Sequence, residues 1–349
     1  MNRKPKNVLE PLPRIAITMG DPAGIGPEII VKAFRDGEIS RCSQSLVVGD
    51  AACLEQAAAR YGAALRILPI HDARQARFDG AAIEVLDLRN VPENFPVARA
   101  TAEGGKASME YIRTAADLAL QDRVDAITTA PINKKGIHLA GFTCPGHTEF
   151  LAEYTRTRDF ALMMAGRRLR VVLVTNHIPL QKVPGAIDKN LVARIIRLTH
   201  RWLSRFVAPF PKIAVAGVNP HCGEDGIFGE EENAAIGPAI SETQSEGIQV
   251  TGPHPADSLF LEARSENYDA VIAMYHDQGL VPVKMESMGR AVNLTLGLPI
   301  IRTSVDHGTA YGIVGRGEAS PESLIEAVKT AASLCRRREE LSPQPCKTR

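Results

Sequence analysis

The sequence predicts an α/β protein built around a largely parallel sheet. Short apolar runs rich in β-branched residues alternate with longer segments of helical periodicity along most of the chain. Polar residues directly follow several of the apolar runs, which is how such proteins carry side chains to the ligand-binding edge of the sheet. At 349 residues the chain exceeds the usual size of one compact core, so two lobes or one large α/β unit are the natural options.

The first part of the chain supplies four strand-then-helix units. Each strand run is short and apolar, and each following run has the spacing of a helix. The pairs are RIAITM with PEIIVKAF, SLVVGD with AACLEQAAARYG, IEVLDL with GGKASMEYIRTAADLALQ, and VDAITTA with NKKGIHLAG. This alternation is typical of parallel strands joined by helical crossovers.

In the middle of the chain the alternation of single strands and helices is interrupted. FALMMAG and LRVVLVTN are separated only by a short basic turn, which predicts an antiparallel pair before the amphipathic helix KNLVARIIRLTHRWLSRF. The strand KIAVAGVN, a helix from about 230 to 246, the strand YDAVIAMY and the closing helix PESLIEAVKTAASLCRR follow. The polar tails, 1–12 and 338–349, are expected to be disordered.

Composition narrows the classes of function. The 41 basic and 40 acidic residues leave a net charge of +1, which does not favour a nucleic-acid partner. The N-terminus lacks the apolar core of a secretory signal, and no apolar segment approaches the roughly 20 residues that span a bilayer, so we expect a cytoplasmic protein. Six cysteines without CxxC pairs favour reduced thiols.

Three histidines lie at the outer ends of apolar runs. His177, His221 and His276 end the runs in VVLVTNHIPL, IAVAGVNPHCGE and AVIAMYHDQG, each beside other polar residues. A single histidine at a strand end is usually a hydrogen-bonded turn residue, but the repetition predicts a metal site. Cys222 follows His221 directly, and adjacent residues on an extended chain point to opposite sides, so we do not expect it to join that site.

A glycine-rich turn follows the first strand. In ITMGDPAGIGPEII, residues 17–30, Gly20, Gly24 and Gly26 allow a sharp turn into a helix whose first N–H groups are free. The segment fits neither GxGxxG nor the P-loop pattern. A ligand-binding loop and a plain glycine turn both remain open.

Two further segments predict an anion site. In PGHTEF, Thr148 is expected near a helix N-terminus, where His147 would also face an anion and Lys134 and Lys135 could add charge. The alternative is that Thr148 caps the helix with Glu149 in its first turn, and both interpretations can hold together.

Polar residues also interrupt the apolar stretches between 275 and 308. Lys284, Asn293 and Arg302 offer a point charge, an amide and a bidentate fork, which together suit a phosphate or a carboxylate. Asp257, in GPHPADSLF, is either a helix N-cap or an oxygen ligand or proton acceptor beside the ion.

Taken together, these segments resemble the 4-hydroxythreonine-4-phosphate dehydrogenase family. The resemblance runs from about 14 to 332 and rests on GDPAGIGPE, APINK, PGHTEF, TNHIPL, GVNPHCGE, GPHPADSLF, MYHDQG, VNLTLGLPIIRTSVDHGTA and GRG. It implies a fold like isocitrate and isopropylmalate dehydrogenases, with two α/β/α lobes and a cleft between them. The first lobe would be 13–135 plus 285–337, and the second 136–284. The resemblance also implies an obligate homodimer whose metal ligands come from both subunits.

The resemblance implies a role for each candidate residue. The implied metal ligands are His177, His221 and His276, and the implied substrate contacts are His147, Thr148, Lys284, Asn293 and Arg302. The residues implied near NAD are Asp306, His307, Gly308 and Thr309. The catalytic candidates are Asp257 and Lys284. The implied reaction is oxidation of 4-phosphooxy-L-threonine at C3 with NAD or NADP and one divalent ion, Zn, Mg or Co. Decarboxylation to 3-amino-2-oxopropyl phosphate follows. The departure nearest the site is Cys222, where the family often has alanine.

Competing hypotheses remain open. The nearest are dehydrogenases of 4-phospho-D-threonate or 4-phospho-D-erythronate, which need the same phosphate contacts and differ at C2. A dihydrodiol dehydrogenase has less need of those contacts. A non-catalytic metal- or anion-binding protein would explain the histidines, but not the dinucleotide-type loop near the C-terminus.

Overall fold

One large sheet runs through the part of the chain that the computed structural model describes, residues 11–35, 37–62, 65–80, 82–265 and 267–341. Within these residues the sheet has 12 strands. In chain order they are β1 Arg14–Thr18, β2 Gln44–Gly49, β3 Arg66–Ile70, β4 Ala82–Asp87, β5 Ala126–Thr129, β6 Ala161–Ala165, β7 Arg170–Leu173, β8 Ile213–Ala216, β9 Val250–His254, β10 Ala270–Ala273, β11 Val292–Leu296 and β12 Ile301–Val305. The predicted α/β fold class is confirmed.

The strand order is β3-β4-β2-β1-β5-β12-β11-β6-β7-β10-β8-β9. The strands from β3 to β12 are parallel, and so are those from β7 to β9. Between the two parallel groups, β11 pairs antiparallel with both β12 and β6. The division into two lobes, 13–135 plus 285–337 and 136–284, stays a prediction.

Helices cover the sheet and supply the crossovers. They are α1 Gly26–Arg35, α2 Glu38–Cys42, α3 Ala51–Ala57, α4 Ala102–Leu120, α5 Lys134–Leu139, α6 His147–Tyr154, α7 Val183–Ala186, α8 Lys189–Phe206, α9 Gly237–Ser245, α10 Ala256–Ala263, α11 His276–Ser287 and α12 Glu322–Leu341. Short 3₁₀ or π turns lie at Ala58–Gly62, Ala73–Gln75, Leu180–Lys182, Pro220–Gly223, Glu232–Ile236 and Tyr311–Ile313. None of the helices in the described ranges is long and apolar enough to span a bilayer.

Local patterning predicts most of these elements. The antiparallel pair in the middle of the chain is confirmed, with Met163 opposite Val172. The pattern misses β3, β9, β11 and β12, which are short and carry proline, glycine or buried polar residues. The disordered tail expected from 338 is wrong as far as Leu341, because α12 continues to that residue. The rest of that tail, and residues 1–10, lie outside the described residues.

The position of β12 near the centre of the sheet decides which side chains meet there. This late strand pairs in parallel with β5, so that Arg302 is aligned with Ile127 and Ser304 with Thr129. Its other edge pairs with β11, where Asn293 lies opposite Ser304. Side chains from distant parts of the sequence therefore meet at the centre of the sheet.

Candidate functional site

A cleft of about 340 Å³ opens beside the centre of the sheet. It is bordered by the segments that follow β5 and β7, by the start of α6, and by β11 and β12. Eight of the residues predicted for the site line it: His147, Thr148, His177, Asn293, Arg302, Asp306, His307 and Gly308. The structure thus brings the predicted anion site, one metal histidine and most of the cofactor loop to one place.

Arg302 is the most deeply buried charged group of the cleft, with an exposed fraction of 3%. Its guanidinium donates to Asn293 Oδ1 at 3.3 Å, to Thr295 Oγ1 at 3.1 Å and to Thr129 Oγ1 at 2.8 Å. Its Nε is buried and has no partner among the described residues. Burial lowers the pKa of Arg302 to about 9, and the charge of Glu149 opposes that shift. A buried cation held by neutral oxygens is stabilised when an anion enters beside it.

The start of α6 faces this cation. The N-cap of α6 is Gly146, and no side chain caps the helix, so the alternative in which Thr148 is the cap is wrong. Thr148 lies instead within hydrogen-bonding distance of the Thr295 hydroxyl, at 3.3 Å between the two Oγ1 atoms. The amides of the first helical turn remain available to an anion, as predicted.

His147, the first residue of α6, contributes a neutral ring. Burial and the neighbouring charge of Arg302 hold the pKa of His147 well below its ordinary value of 6.5, against a hydrogen bond with the Ala130 backbone. Its Nε2 is buried without a partner in the described part of the chain. An unpartnered ring nitrogen beside a buried guanidinium indicates a place for a ligand atom.

Lys284 and Asp306 form an ion pair at the border of the cleft. Lys284, near the end of α11, places Nζ 3.2 Å from Asp306 Oδ1, and half of the lysine side chain is exposed. Burial raises the pKa of Asp306, and the positive charge of Lys284 acts in the opposite direction. The lysine therefore places a half-exposed positive charge next to the cleft.

Two of the three predicted metal histidines are neighbours. The ring centroids of His177 and His276 are 5.6 Å apart, and the planes are tilted by 38°. Burial, Lys134 and His276 lower the pKa of His177, which favours its neutral form. His276 begins α11, and its Nδ1 lies 2.7 Å from Asp277 Oδ1. The pair offers nitrogen atoms from two facing imidazoles.

His221 lies elsewhere in the same chain. Its ring is exposed and packs near Phe228, with centroids 6.4 Å apart. Across the described ranges, no group of three His, Cys, Asp or Glu side chains is close enough to hold a metal ion. One chain therefore presents His177 at the cleft with His276 next to it, and His221 on a separate loop.

The loop that carries His221 is not extended. His221 and Cys222 have φ values of 50° and 55°, in the left-handed region. The backbone at these two residues is therefore not extended, and the prediction that their side chains point to opposite sides is wrong in its premise. Burial, Glu232 and Asp257 raise the pKa of the Cys222 thiol, which does not favour the thiolate form that binds metals.

Asp257 accompanies the His221 loop. It lies in the first turn of α10 with its side chain exposed, and the N-cap of that helix is Pro255. The N-cap alternative for Asp257 is thus wrong. Its negative charge acts on Cys222, which places it on the side of His221 and away from the residues that line the cleft.

The predicted cofactor loop divides into two parts. Asp306, His307 and Gly308 line the cleft, whereas Thr309 is buried against the glycine-rich turn. The carbonyl of Thr309 accepts a hydrogen bond from the Ile25 amide at 3.1 Å. A Cβ on Gly24 would meet the Thr309 side chain at 2.9 Å, which explains why a glycine is needed there.

Three polar residues of the site were missed by the sequence reasoning. Thr129 and Thr295 hold the guanidinium of Arg302, and Ser304 lines the cleft and donates to the Thr129 carbonyl at 3.0 Å. One signal was present, because Asn293 and Thr295 are two residues apart and so share one face of β11. The partnership with Thr129 has no local signal, since Arg302 is 173 positions away.

Comparisons with known proteins show the family to which the chain belongs. Residues 41–331 match the family described as pyridoxal phosphate biosynthetic protein PdxA. A 4-hydroxythreonine-4-phosphate dehydrogenase of Desulforapulum autotrophicum is 47% identical over 322 residues, which cover 92% of this chain and 95% of that protein. A D-threonate 4-phosphate dehydrogenase of Cupriavidus necator is 44% identical over 94% of this chain and 98% of its own length.

Solved structures show the same similarity. The crystal structure of a 4-hydroxythreonine-4-phosphate dehydrogenase from Klebsiella pneumoniae superposes with a TM-score of 0.87 at 41% sequence identity. The match covers 93% of this chain and 98% of that one. The sheet, the cleft and the surrounding helices are therefore shared with an enzyme of known structure over nearly the full length.

Proposed function

Because the chain belongs to the PdxA family of pyridoxal phosphate biosynthetic proteins, we propose that it oxidises 4-phosphooxy-L-threonine at C3 with NAD or NADP. Decarboxylation to 3-amino-2-oxopropyl phosphate would follow, and a divalent ion, Zn, Mg or Co, would take part. The observation that carries this proposal is the buried guanidinium of Arg302, which is held by neutral oxygens beside the free N-terminal turn of α6.

The phosphate of the substrate is expected beside Arg302. The unpartnered Nε of Arg302 and the first-turn amides of α6 offer donors, and Thr148 and Asn293 add polar groups at the same wall. Lys284 adds a positive charge at the border of the cleft, and its ammonium can also deliver a proton. Binding energy from the phosphate would position C3 and its hydroxyl for reaction.

The group at C2 distinguishes the two best candidates. A 4-hydroxythreonine carries an ammonium there, and Glu149 lines the cleft without a salt bridge among the described residues. A carboxylate in that position suits an ammonium better than a hydroxyl. The second candidate, D-threonate 4-phosphate as substrate, is favoured by relatives of that name at similar identity, such as the protein of Cupriavidus necator.

The donor set of the histidines fits a divalent ion that is shared between two chains. His177 and His276 present two neighbouring imidazoles that would hold the ion, and His221 of a second copy would add a third nitrogen ligand. A metal ion bound there supplies Lewis acidity, which lowers the pKa of a coordinated substrate hydroxyl. Asp257, which accompanies His221, is our candidate acceptor for the proton of that hydroxyl.

The loop after β12 fits a nicotinamide cofactor, which supplies the hydride acceptor. A Cβ on Gly308 would meet no atom within 4 Å, so a flat ring can approach the backbone there. Asp306 and His307 offer polar contacts at the same border of the cleft. Thr309 would act indirectly, by fixing this loop to the glycine-rich turn.

We propose that a second copy of the chain supplies the third histidine. Exposed apolar side chains surround both halves of the site: Leu180 (68%) follows His177, Met285 (74%) lies on α11, and Ile227 (74%) lies near His221. Clusters of exposed apolar residues around polar groups are typical of subunit interfaces. A homodimer that pairs each His221 loop with the other chain's cleft would cover these apolar side chains and complete two sites.

A cytoplasmic location stays a prediction from composition.

A substrate panel tests the activity. Initial rates of NAD(P)H formation with added metal would be measured on 4-phosphooxy-L-threonine, 4-phospho-D-threonate and 4-phospho-D-erythronate. We expect the highest kcat/KM with the amino compound. A clear preference for 4-phospho-D-threonate would replace the first candidate by the second, and no turnover of any of the three would contradict both.

Mixed dimers test the shared site. A His221→Ala chain combined with a His276→Ala chain yields one intact site per mixed dimer, so activity should return although each variant alone is inactive. The matched control combines His177→Ala with His276→Ala, where every site lacks one ligand and no activity should return. Recovery in both mixtures, or in neither, would contradict a site completed by His221 of the second chain.

A further inference from the structure

The loop that carries His221 has an unusual backbone. The six residues from His221 to Gly226 all have positive φ, at 50°, 55°, 79°, 42°, 56° and 93° in order. Four of them are not glycine, and left-handed residues other than glycine normally occur singly because their Cβ atoms crowd the backbone. Such a turn persists only where surrounding contacts hold it.

Glu232 is the side chain that holds the entrance to this turn. Its carboxylate is buried, with an exposed fraction of 3%. Oε1 accepts hydrogen bonds from the backbone amides of Val218 at 2.7 Å and Asn219 at 2.8 Å, and Oε2 accepts one from Asn219 Nδ2 at 2.9 Å. One carboxylate therefore fixes both the backbone and the side chain just before Pro220.

The same carboxylate lies against two glycines that flank the histidine. A Cβ on Gly217 would lie 2.9 Å from Glu232 Oε1, and a Cβ on Gly223 would lie 3.0 Å from Oε2. The turn thus wraps around the carboxylate, with His221 at its exposed side. Because the Asn219 side chain is engaged by Glu232 and by Glu231 Oε2 at 2.7 Å, it does not cap the turn itself.

We propose that Glu232 is a positioning residue for the metal site: it holds His221 in the orientation in which its imidazole reaches the ion. This inference rests on the proposed function, in which His221 is a metal ligand. Groups that orient metal-binding histidines typically change metal affinity by 10–100-fold when they are removed. We expect the affinity for the metal ion to fall roughly 10–100-fold when the carboxylate of Glu232 is replaced.

The test compares two buried glutamates of the intact protein. In Glu232→Gln, the amide carbonyl can still accept from the backbone N–H groups, but the new NH₂ faces Asn219 Nδ2, and two donors repel each other. The matched control is Glu84→Gln. Glu84 is equally buried at 3% and accepts from the backbone amides of Arg77 at 2.6 Å and Phe78 at 2.8 Å, far from His221 on β4.

The readouts are Co²⁺ affinity by titration, with the visible absorption of the bound Co²⁺ as a signature of its ligands, and urea unfolding of the metal-free protein. We expect Glu232→Gln to bind Co²⁺ 10–100-fold more weakly, roughly, and Glu84→Gln to bind it as the wild type does, even where both lose similar stability. Equal Co²⁺ affinity and spectra in Glu232→Gln and wild type would overturn the positioning role.

A parallel His221→Ala titration separates this inference from its premise. If His221→Ala binds Co²⁺ as tightly as the wild type, the proposed ligand role of His221 itself fails. If His221→Ala loses affinity and Glu232→Gln does not, only the positioning role of Glu232 fails.

Discussion

Replacement of Arg302 by methionine is expected to weaken anion binding without lowering the free energy of unfolding. The side chain is almost fully buried, and burial lowers its pKa from 12.5 to about 9. That shift corresponds to about 5 kcal/mol of disfavour for the charged form inside the protein. Methionine has a similar length, carries no charge and packs well in irregular apolar spaces.

The structure also limits what the substitution costs. Three hydrogen bonds to neutral oxygens are lost, worth roughly 1 kcal/mol each. Two of the acceptors keep another hydrogen-bond partner. Thr129 Oγ1 donates to the Thr303 carbonyl at 3.4 Å, and Thr295 Oγ1 lies 3.3 Å from Thr148 Oγ1. Set against about 5 kcal/mol for the buried charge, the free energy of unfolding should stay unchanged or rise by about 1–2 kcal/mol.

Anion binding should fall at the same time. Each hydrogen bond from a guanidinium to an anion contributes about 1.5–3 kcal/mol, so the loss of two weakens phosphate binding by at least roughly a hundredfold. Urea unfolding with and without inorganic phosphate measures both effects, since a ligand of the native state raises stability. The exposed Arg168→Met serves as the control. If Arg302→Met loses several kcal/mol of stability, or remains stabilised by phosphate, this reasoning is refuted.

Three further predictions concern other side chains of the cleft. Thr295→Val removes the hydroxyl that contacts both Arg302 and Thr148. A loss of roughly 1–2 kcal/mol of binding free energy should raise KM for the phosphorylated substrate about 5- to 30-fold while kcat changes little. A fall in kcat alone would count against this prediction. His147 stays neutral when folded, whereas the unfolded chain protonates it below about pH 6.5, so acid destabilises the wild type through this group. His147→Asn should therefore lose less stability than the wild type between pH 7 and pH 5 in urea unfolding, and parallel curves for the two proteins would exclude this. Glu149→Gln should lower kcat/KM for 4-phosphooxy-L-threonine more than for 4-phospho-D-threonate, by roughly tenfold; equal losses on the two substrates would show that Glu149 does not recognise the amine.

Local pattern predicts much of the fold, and its failures have a physical reason. Strands such as β1, β2 and β10 are continuous apolar runs, as strands buried on both faces must be, and they are predicted. The strands β11 and β12 carry Asn293 and Arg302, whose polarity hides the pattern because those side chains face the cleft. The alternation of polarity in β11 reflects one face toward the cleft, and the pairing of β11 with β12 is what reveals this.

The candidate site shows the same division between local and long-range information. The sequence places histidines and charged residues at strand ends, and that follows from chain direction alone, because parallel strands deliver their carboxyl ends to one edge. It does not reveal that His177 and His276 are neighbours while His221 is apart, since this depends on which strands become adjacent. The dimer that would reunite them stays a prediction.

By itself, the sequence determined the α/β class, the family and the chemical types at the site, because periodicity and short motifs are properties of neighbouring residues. Only the tertiary structure decided that β12 inserts between β5 and β11, which encloses Arg302 between Thr295 of the preceding strand and Thr129, 173 positions away. It also decided the left-handed turn at His221, which directly follows a segment whose amides, at Val218 and Asn219, donate to the buried carboxylate of Glu232. Burial and long-range hydrogen bonds are properties of the assembled chain, and they turn a set of polar residues into a site.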